Sequence, residues 1–461
     1  MLERPDEVLP LRDVAEAAAK GNPLRQGQVA MAVGLVLAKD GQFEAGERLL
    51  RDALTVLTDA FGPDDRRVAA ARNTLANILR IRGELVESEA EYRAAASSLT
   101  ATLGADHPKT AVVRGNLATV LRQRGQLDEA ELEARAADAA RLRSLGAKHV
   151  LYGSGKTILS DILTDARRFE EAETEAKQGL EIVQAAVGRI HGKTANAVNS
   201  LGRILVMQGK AEEAERAFRE TLEIRTELNG ADHPILAGIH LNIAVALRRQ
   251  NRLEEAEVVY REAERVWRKV HGPMHPNLAS VHNNLGVLFL DMERYEEAKV
   301  ESERAMQIKR SYLEPDDPLF LETQGNLAEA LSGLKEYDAA IAQRRAIAEA
   351  LEPKLAPDSP RLALNRHRLA RVLLLNDESD EAFELATAAL ENVRKSGLAT
   401  AERGRLTMTL CEATLATDSS PSGRAQARKL AEEALQMFVK AGVDGEVDAQ
   451  DTRDWLAKHP G

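Results

Sequence analysis

Five histidines, His107, His149, His191, His233 and His275, stand 42 residues apart in strict register. Imidazole is the commonest metal ligand, so the first question is whether they converge on an ion. A tetrahedral zinc needs its nitrogens about 2.0–2.1 Å from one point. A unit of two helix layers, each about 8–10 Å thick, sets successive copies on the order of 15–20 Å apart. The histidines are therefore expected to cap helices, in a series that Asp65 begins and Asp317 and Ser359 continue. His271 and His275 lie four apart, but Gly272 and Pro273 break any helix between them. There is no HExxH and no CxxC pair, and neither metal nor cofactor is expected.

Phosphate binding fails on spacing as well. Gly153-Ser154-Gly155-Lys156-Thr157 ends like a P-loop, but the motif needs a glycine where Val150 stands. Gly192-Lys193-Thr194 has Val187 at that place, and it falls in register with Pro108-Lys109-Thr110. Cys411 shares a register position with Leu285 and Leu369, which makes it a core filler and not a nucleophile. Glu129, Glu171, Glu213, Glu255 and Glu297 repeat at one position and are expected to face solvent or to pair with Arg or Lys one turn on. No Ser/His/Asp arrangement has local support, so no enzymatic activity is expected.

Bulk properties narrow the class further. With 62 basic against 73 acidic residues the net charge is −11, the reverse of a nucleic-acid surface. One cysteine rules out an internal disulfide framework and suits a reducing compartment. The first twenty residues carry acids where a secretory leader needs bases, and no apolar run reaches the ~18–20 residues of a membrane span. The expected setting is cytoplasmic, with no membrane partner. Aromatics at 3% disfavour a sandwich or barrel.

The elements that position these residues follow from the period. A repeat of about 20–50 residues means a solenoid, which lengthens by adding units that touch only their neighbours. In the unit from His107, Pro108 suits the first turn of a helix, and Asp106 or His107 is placed to cap it. Ala111, Leu117, Ala118 and Leu121 recur at helical spacing, and Gly125 ends that helix. A second helix runs from near Asp128 to about Leu145, closed by Gly146. Stepping by 42, the position of Leu117 is always large and apolar, as at Leu75 and Leu285, and the next is always small, as at Ala118 and Gly286. The pattern predicts about ten antiparallel helix pairs, starting near 23, 65, 107, 149, 191, 233, 275, 317, 359 and 401. Residues 1–22 are expected to hold a leading helix (9–20) and cap, 23–441 the solenoid, and 442–461 a capping helix containing Trp455. Asp418–Gly423 reads as a loop about three residues longer than the other joints, followed by a helix near Arg424–Ala441.

The large–small pair, the Leu four later, the Gly after that and the small residue of the second helix resemble the tetratricopeptide repeat. The longer period, Asn116-Leu117-Ala118, Glu129-Ala130-Glu131 and the Gly-Ala-Asp-His-Pro joints at 104–108 and 230–234 resemble its kinesin-light-chain type. The unit from His149 departs from the pattern, with Val150 for proline and Ile158 for asparagine. The resemblance implies an all-α, right-handed superhelical solenoid whose first helices line a concave groove for a peptide or protein partner. Carried over position by position, the groove residues are Asn73, Asn77, Asn116, Arg122, Asn199, Arg203, Asn242, Arg248, Asn283, Asn284 and Asn326. An amide suits a peptide backbone, and an arginine fork suits a carboxylate, so the partner is expected to be acidic or to offer a free C-terminus. Some of these asparagines could instead bond between neighbouring helices. The unit from His149 offers Thr157, Ile158 and Asp161 in their place. Similar arrays resemble sensor or docking regions of bacterial signalling proteins, so a kinase or protease partner is a second expectation and self-assembly a third. Oligomeric state is left open.

Overall fold

The computed structural model describes residues 19–39, 42–393 and 398–459, and every regular element among them is helical. The leading helix expected over 9–20 lies outside the described residues except at its last two positions. The chain divides between Gln250 and Asn251 into two compact units.

The first unit holds α1 (Pro23–Lys39), α2 (Phe43–Phe61), α3 (Arg66–Arg82), α4 (Leu85–Leu103), α5 (Pro108–Gln123), α6 (Leu127–Leu145), α7 (Val150–Asp165), α8 (Phe169–Val187), α9 (Gly192–Met207), α10 (Ala211–Asn229) and α11 (Ile235–Arg249). The second holds α12 (Leu253–His271), α13 (Pro276–Asp291), α14 (Tyr295–Lys309), α15 (Pro318–Gly333), α16 (Tyr337–Leu351), α17 (Pro360–Leu375), α18 (Ser379–Asn392), α19 (Thr400–Thr417), α20 (Pro421–Ala441) and α21 (Glu446–Lys458). Within each unit, a first-type helix (odd numbers to α19) packs on the second helix that follows, and that one packs on the next first-type helix. Consecutive first-type helices also touch directly, from α1–α3 to α9–α11 and again at α13–α15 and α17–α19.

The register residues explain where helices start. His107, His149, His191, His233 and His275 each accept, through Nδ1, the backbone N–H two residues on, at 3.0–3.2 Å. Asp65 and Asp317 do the same through a carboxylate oxygen at 2.8 Å. The δ-position nitrogen of a neutral imidazole thus replaces the Asn or Asp oxygen that usually satisfies this orphan donor. Ser359 begins α17 in the same extended conformation but makes no such bond.

The joint between the helices of a pair needs a left-handed residue. Gly83, Gly125 and Gly209 supply it, and Arg167, Asn251, Glu293, Lys335 and Asp377 adopt it at the same register position with φ of +56 to +63°. Packing of the flanking helices therefore imposes the turn even where a side chain disfavours it.

The cores are built as the register predicts. Leu75 and Leu285 are fully buried, and the small residues Gly34, Gly202 and Gly286 lie against the second helix of their own pair. At Gly202 an added Cβ would lie 2.6 Å from the Phe218 ring, so the glycine is what admits phenylalanine. Cys411 is buried, its Sγ donating to the Ala427 carbonyl, and Trp455 packs against the cluster around it.

Two expectations are corrected. The 418–423 loop is no longer than the other joints, because α20 starts at Pro421, capped by Ser420 Oγ; instead α19 is longer than the other first-type helices. The register glutamates face solvent as expected, exposed at Glu171, Glu213, Glu255 and Glu297, but their arginine partners do not stand one turn on. Glu171, Glu255 and Glu297 pair with Arg168, Arg252 and Arg294 one turn earlier, and Glu129 reaches Arg93 of the preceding second helix at 2.8 Å. An arginine at the helix entry is free of the packing that occupies the next turn.

Candidate functional site

The expected groove residues all lie on first-type helices, and most are brought together as a ladder between neighbouring ones. Asn116 Nδ2 donates to Asn73 Oδ1 at 3.0 Å, Asn242 to Asn199 at 3.1 Å, and Asn326 to Asn283 at 3.2 Å. Asn283 Oδ1 also accepts from Thr323. Asn77 donates to the Asn73 carbonyl and accepts from the buried Tyr92 hydroxyl. Among the described residues Asn284 bonds only within its own helix, to the Ser280 carbonyl. A carboxamide has two donor hydrogens and an acceptor with two lone pairs, so ladder bonds leave part of each amide's capacity for something outside.

The arginines are balanced from the unit that departs from the sequence pattern. Arg122 donates to Asp165 at 2.6 Å, and Arg203 donates to Asp161 at 3.0 Å and lies 3.9 Å from Asp165. Both aspartates sit on α7, where the irregular unit supplies counter-charge to its two neighbours. Burial pushes the Asp161 carboxyl up, against the pull of Arg203 and Arg122. Arg248 is half-buried and has polar contacts of its own.

Two recesses open on this face of the first unit. One, of about 510 Å³, is lined by Asp165, Arg203, Met207, Phe218, Asn242 and Val245 among others. The other, of about 360 Å³, is lined by Thr157, Asp161, Asn199 and Arg203. Arg203 borders both. Among the described residues no group of three or more His, Cys, Asp or Glu is placed to hold a metal ion. No helix among them is long and apolar enough to cross a membrane. Gly153–Thr157 lies inside α7 and forms no phosphate-cradling loop.

The second unit contains a cluster that motif reasoning missed. Arg344 of α16 is buried and donates to the Gly325 carbonyl at 3.0 Å and to Glu329 at 3.2 Å, while its Nε has no acceptor among the described residues. Burial, with Arg368 and Arg371 nearby, lowers its pKa to about 10. His367 is likewise buried and is pushed down to about 3, first by burial and then by Arg371, Arg368, Arg405 and Arg344. The register held a signal. The position of Arg344 is filled by Leu50, Tyr92, Ala134, Ala176, Phe218, Tyr260, Ser302 and Ala386, and by the half-buried Arg428 in the last pair, so a fully buried guanidinium there is an outlier among core residues.

Comparison with known proteins agrees with this architecture. No curated protein sequence matches the chain. Among solved structures, a signal transduction ATPase with numerous domains and a tetratricopeptide repeat sensor, from Pyrococcus horikoshii, is similar at 16% identity. That match covers 80% of this chain and 52% of the other, with a TM-score of 0.54. The apo form of RapI is similar at 17% identity over 66% of this chain and 86% of its own, with a TM-score of 0.51. Kinesin light chain TPR-like repeats from Podosopora anserina match at 17% identity over 46% of this chain and 100% of theirs, with a TM-score of 0.38. The tetratricopeptide repeat model matches residues 67–137, 154–227, 193–268, 235–311 and 281–343, more than half of the chain. Matched by that model over more than half of its length, the chain belongs to the tetratricopeptide repeat family.

Proposed function

We propose that the chain is a protein-interaction scaffold that holds a peptide, or an exposed segment of a partner protein, on the face of its first-type helices. The observation that carries this reading is the pair of adjoining recesses around Arg203, where Asn199, Arg203 and Asn242 converge beside the apolar Met207, Val245 and Phe218. Recesses of this size fit side chains, and a packed helical wall loses little conformational freedom when something binds to it. Arg122 and Arg203 are already answered by aspartates, so in this unit the partner is held through apolar and amide contacts. The function is display, not turnover. The tetratricopeptide repeat sensor of the Pyrococcus horikoshii signal transduction ATPase is one form such display takes, and capture of a kinase or protease would assign it here.

The test is affinity capture from native cell extract with the full chain, wild type beside Met207→Glu. Met207 is 46% exposed, so the substitution closes the recess without entering the core. A protein retained by wild type and lost with Met207→Glu supports the reading. Equal retention by both moves binding off this face.

A further inference from the structure

We propose that the arginine cluster of the second unit is an anion-recognition site and that its ligand is an acidic peptide segment. Arg361, Leu364, Asn365, Arg368 and Arg371 fall at helical spacing on one side of α17. First-type helices pack more closely at α13–α15 and α17–α19 than at α15–α17, where the Arg361 guanidinium reaches the Pro318 carbonyl of α15 at 3.5 Å. A recess of about 560 Å³ lies there, lined by Arg344, Arg361 and Arg368 against a single carboxylate, Glu322. A neighbouring recess of about 470 Å³ adds Arg371 and Arg405, with Asp291, Glu329 and Glu402 on its walls. Glu329 is engaged by Arg344, and Arg405 by Asp448. Among the described residues no carboxylate forms an ion pair with Arg361 or Arg368, Arg371 is faced by the Glu412 carboxyl, and all three arginines are exposed. This contrasts with Arg122 and Arg203, whose partners are built in.

Arg344 is the second observation. A cation taken from water at a core position is costly, and the exposed Glu329 and the Gly325 carbonyl offset that only in part, since Nε has no acceptor among the described residues. The exposed arginines beside it add repulsion, visible in the lowered Arg344 and His367 pKa values. An anion seated over α17 relieves both at once. Arg361 and Arg368 are about 10 Å apart along the helix at 1.5 Å per residue, and Arg371 extends the row by about 4.5 Å. An extended chain covers that length in about four or five residues, so two or more acidic side chains on one short segment match it. Planar guanidinium forks suit carboxylates, and the chain's own net charge of −11 makes a positive patch selective for its place. The proposal shares the interaction-scaffold reading but rests on other residues, so each can fail alone.

The experiment is fluorescence anisotropy with the full chain at low ionic strength, using a capped, labelled decapeptide with four central glutamates and its glutamine counterpart. Three variants are compared with wild type: Arg368→Glu/Arg371→Glu, the milder Arg368→Gln/Arg371→Gln, and a control of equal charge change on α20, Arg424→Glu/Lys429→Glu. Wild type is expected to prefer the glutamate peptide by at least about tenfold, with salt weakening it. Both α17 variants lose at least that factor, and the α20 control stays close to wild type. Absence of a glutamate preference, or equal binding by the α17 and α20 variants, overturns the proposal. Displacement of nothing but inorganic phosphate, with the peptide unbound, also overturns it and leaves a small-anion site.

Discussion

Replacing His367 with asparagine should remove an acid sensitivity that this side chain builds into the second unit. The ring is buried, lies 3.0 Å by Nδ1 from Thr409 Oγ1, and is faced by Arg368 and Arg371 of its own helix, Arg344 of α16 and Arg405 of α19. Asp448, which pairs with Arg405, and Glu412, which is faced by Arg371, line the same recess with Asp451, yet the imidazole is still pushed down. The folded-state pKa is about 3, against about 6.5 in an unfolded chain. Below 6.5 the unfolded chain takes up a proton that the folded one refuses, so stability is complete above that pH and falls as pH drops. At about 1.36 kcal/mol per pH unit, the loss at pH 5 is about 2 kcal/mol. Asparagine is the natural replacement, since Asn73, Asn199 and Asn283 hold the same register position. Urea unfolding at pH 7.5 and pH 5.0, followed by the fluorescence of Trp455 in the same recess, measures the difference. Carboxylate titrations are common to both proteins and cancel. Equal losses in wild type and His367→Asn would refute the argument that the arginines and burial hold the imidazole neutral.

Four further outcomes are expected. His107→Ala should cost about 1 kcal/mol through loss of the Lys109 N–H cap, and His107→Asp should restore it, read from urea midpoints. Leu285→Ala leaves a cavity at a fully buried site and should cost about 2–5 kcal/mol, with an unchanged helical circular dichroism spectrum at 20 °C or so. Lys335→Gly relieves a left-handed residue at φ +63° and should stabilise by up to about 1 kcal/mol; a lower melting temperature would contradict the strain. Burial pushes the Cys411 thiol up to about 12, so a thiol reagent at pH 8 should label the native protein only as fast as the α19–α20 region opens, and rapid stoichiometric labelling would show an accessible thiol.

Much of the array is legible in the chain itself, because each unit contacts mainly its neighbours and the register copies one local problem many times. The caps at His107 through His275, the large–small pairs such as Leu285 and Gly286, and the closing Gly146 all satisfy needs set within a few residues of sequence or one helix away. Long-range pairing is another matter. That Asp161 and Asp165 neutralise Arg203 and Arg122 from one repeat to the next, that Asn73 and Asn116 share a bond, and that the buried Arg344 lies under a row of arginines of which Arg361 and Arg368 have no ion-pair partner among the described residues depend on how stacked helices are set against one another. One sequence carries the period that stacks the helices. Which charges find partners in that stack, and which are left for a ligand, is decided only when the side chains of different repeats compete for the same space.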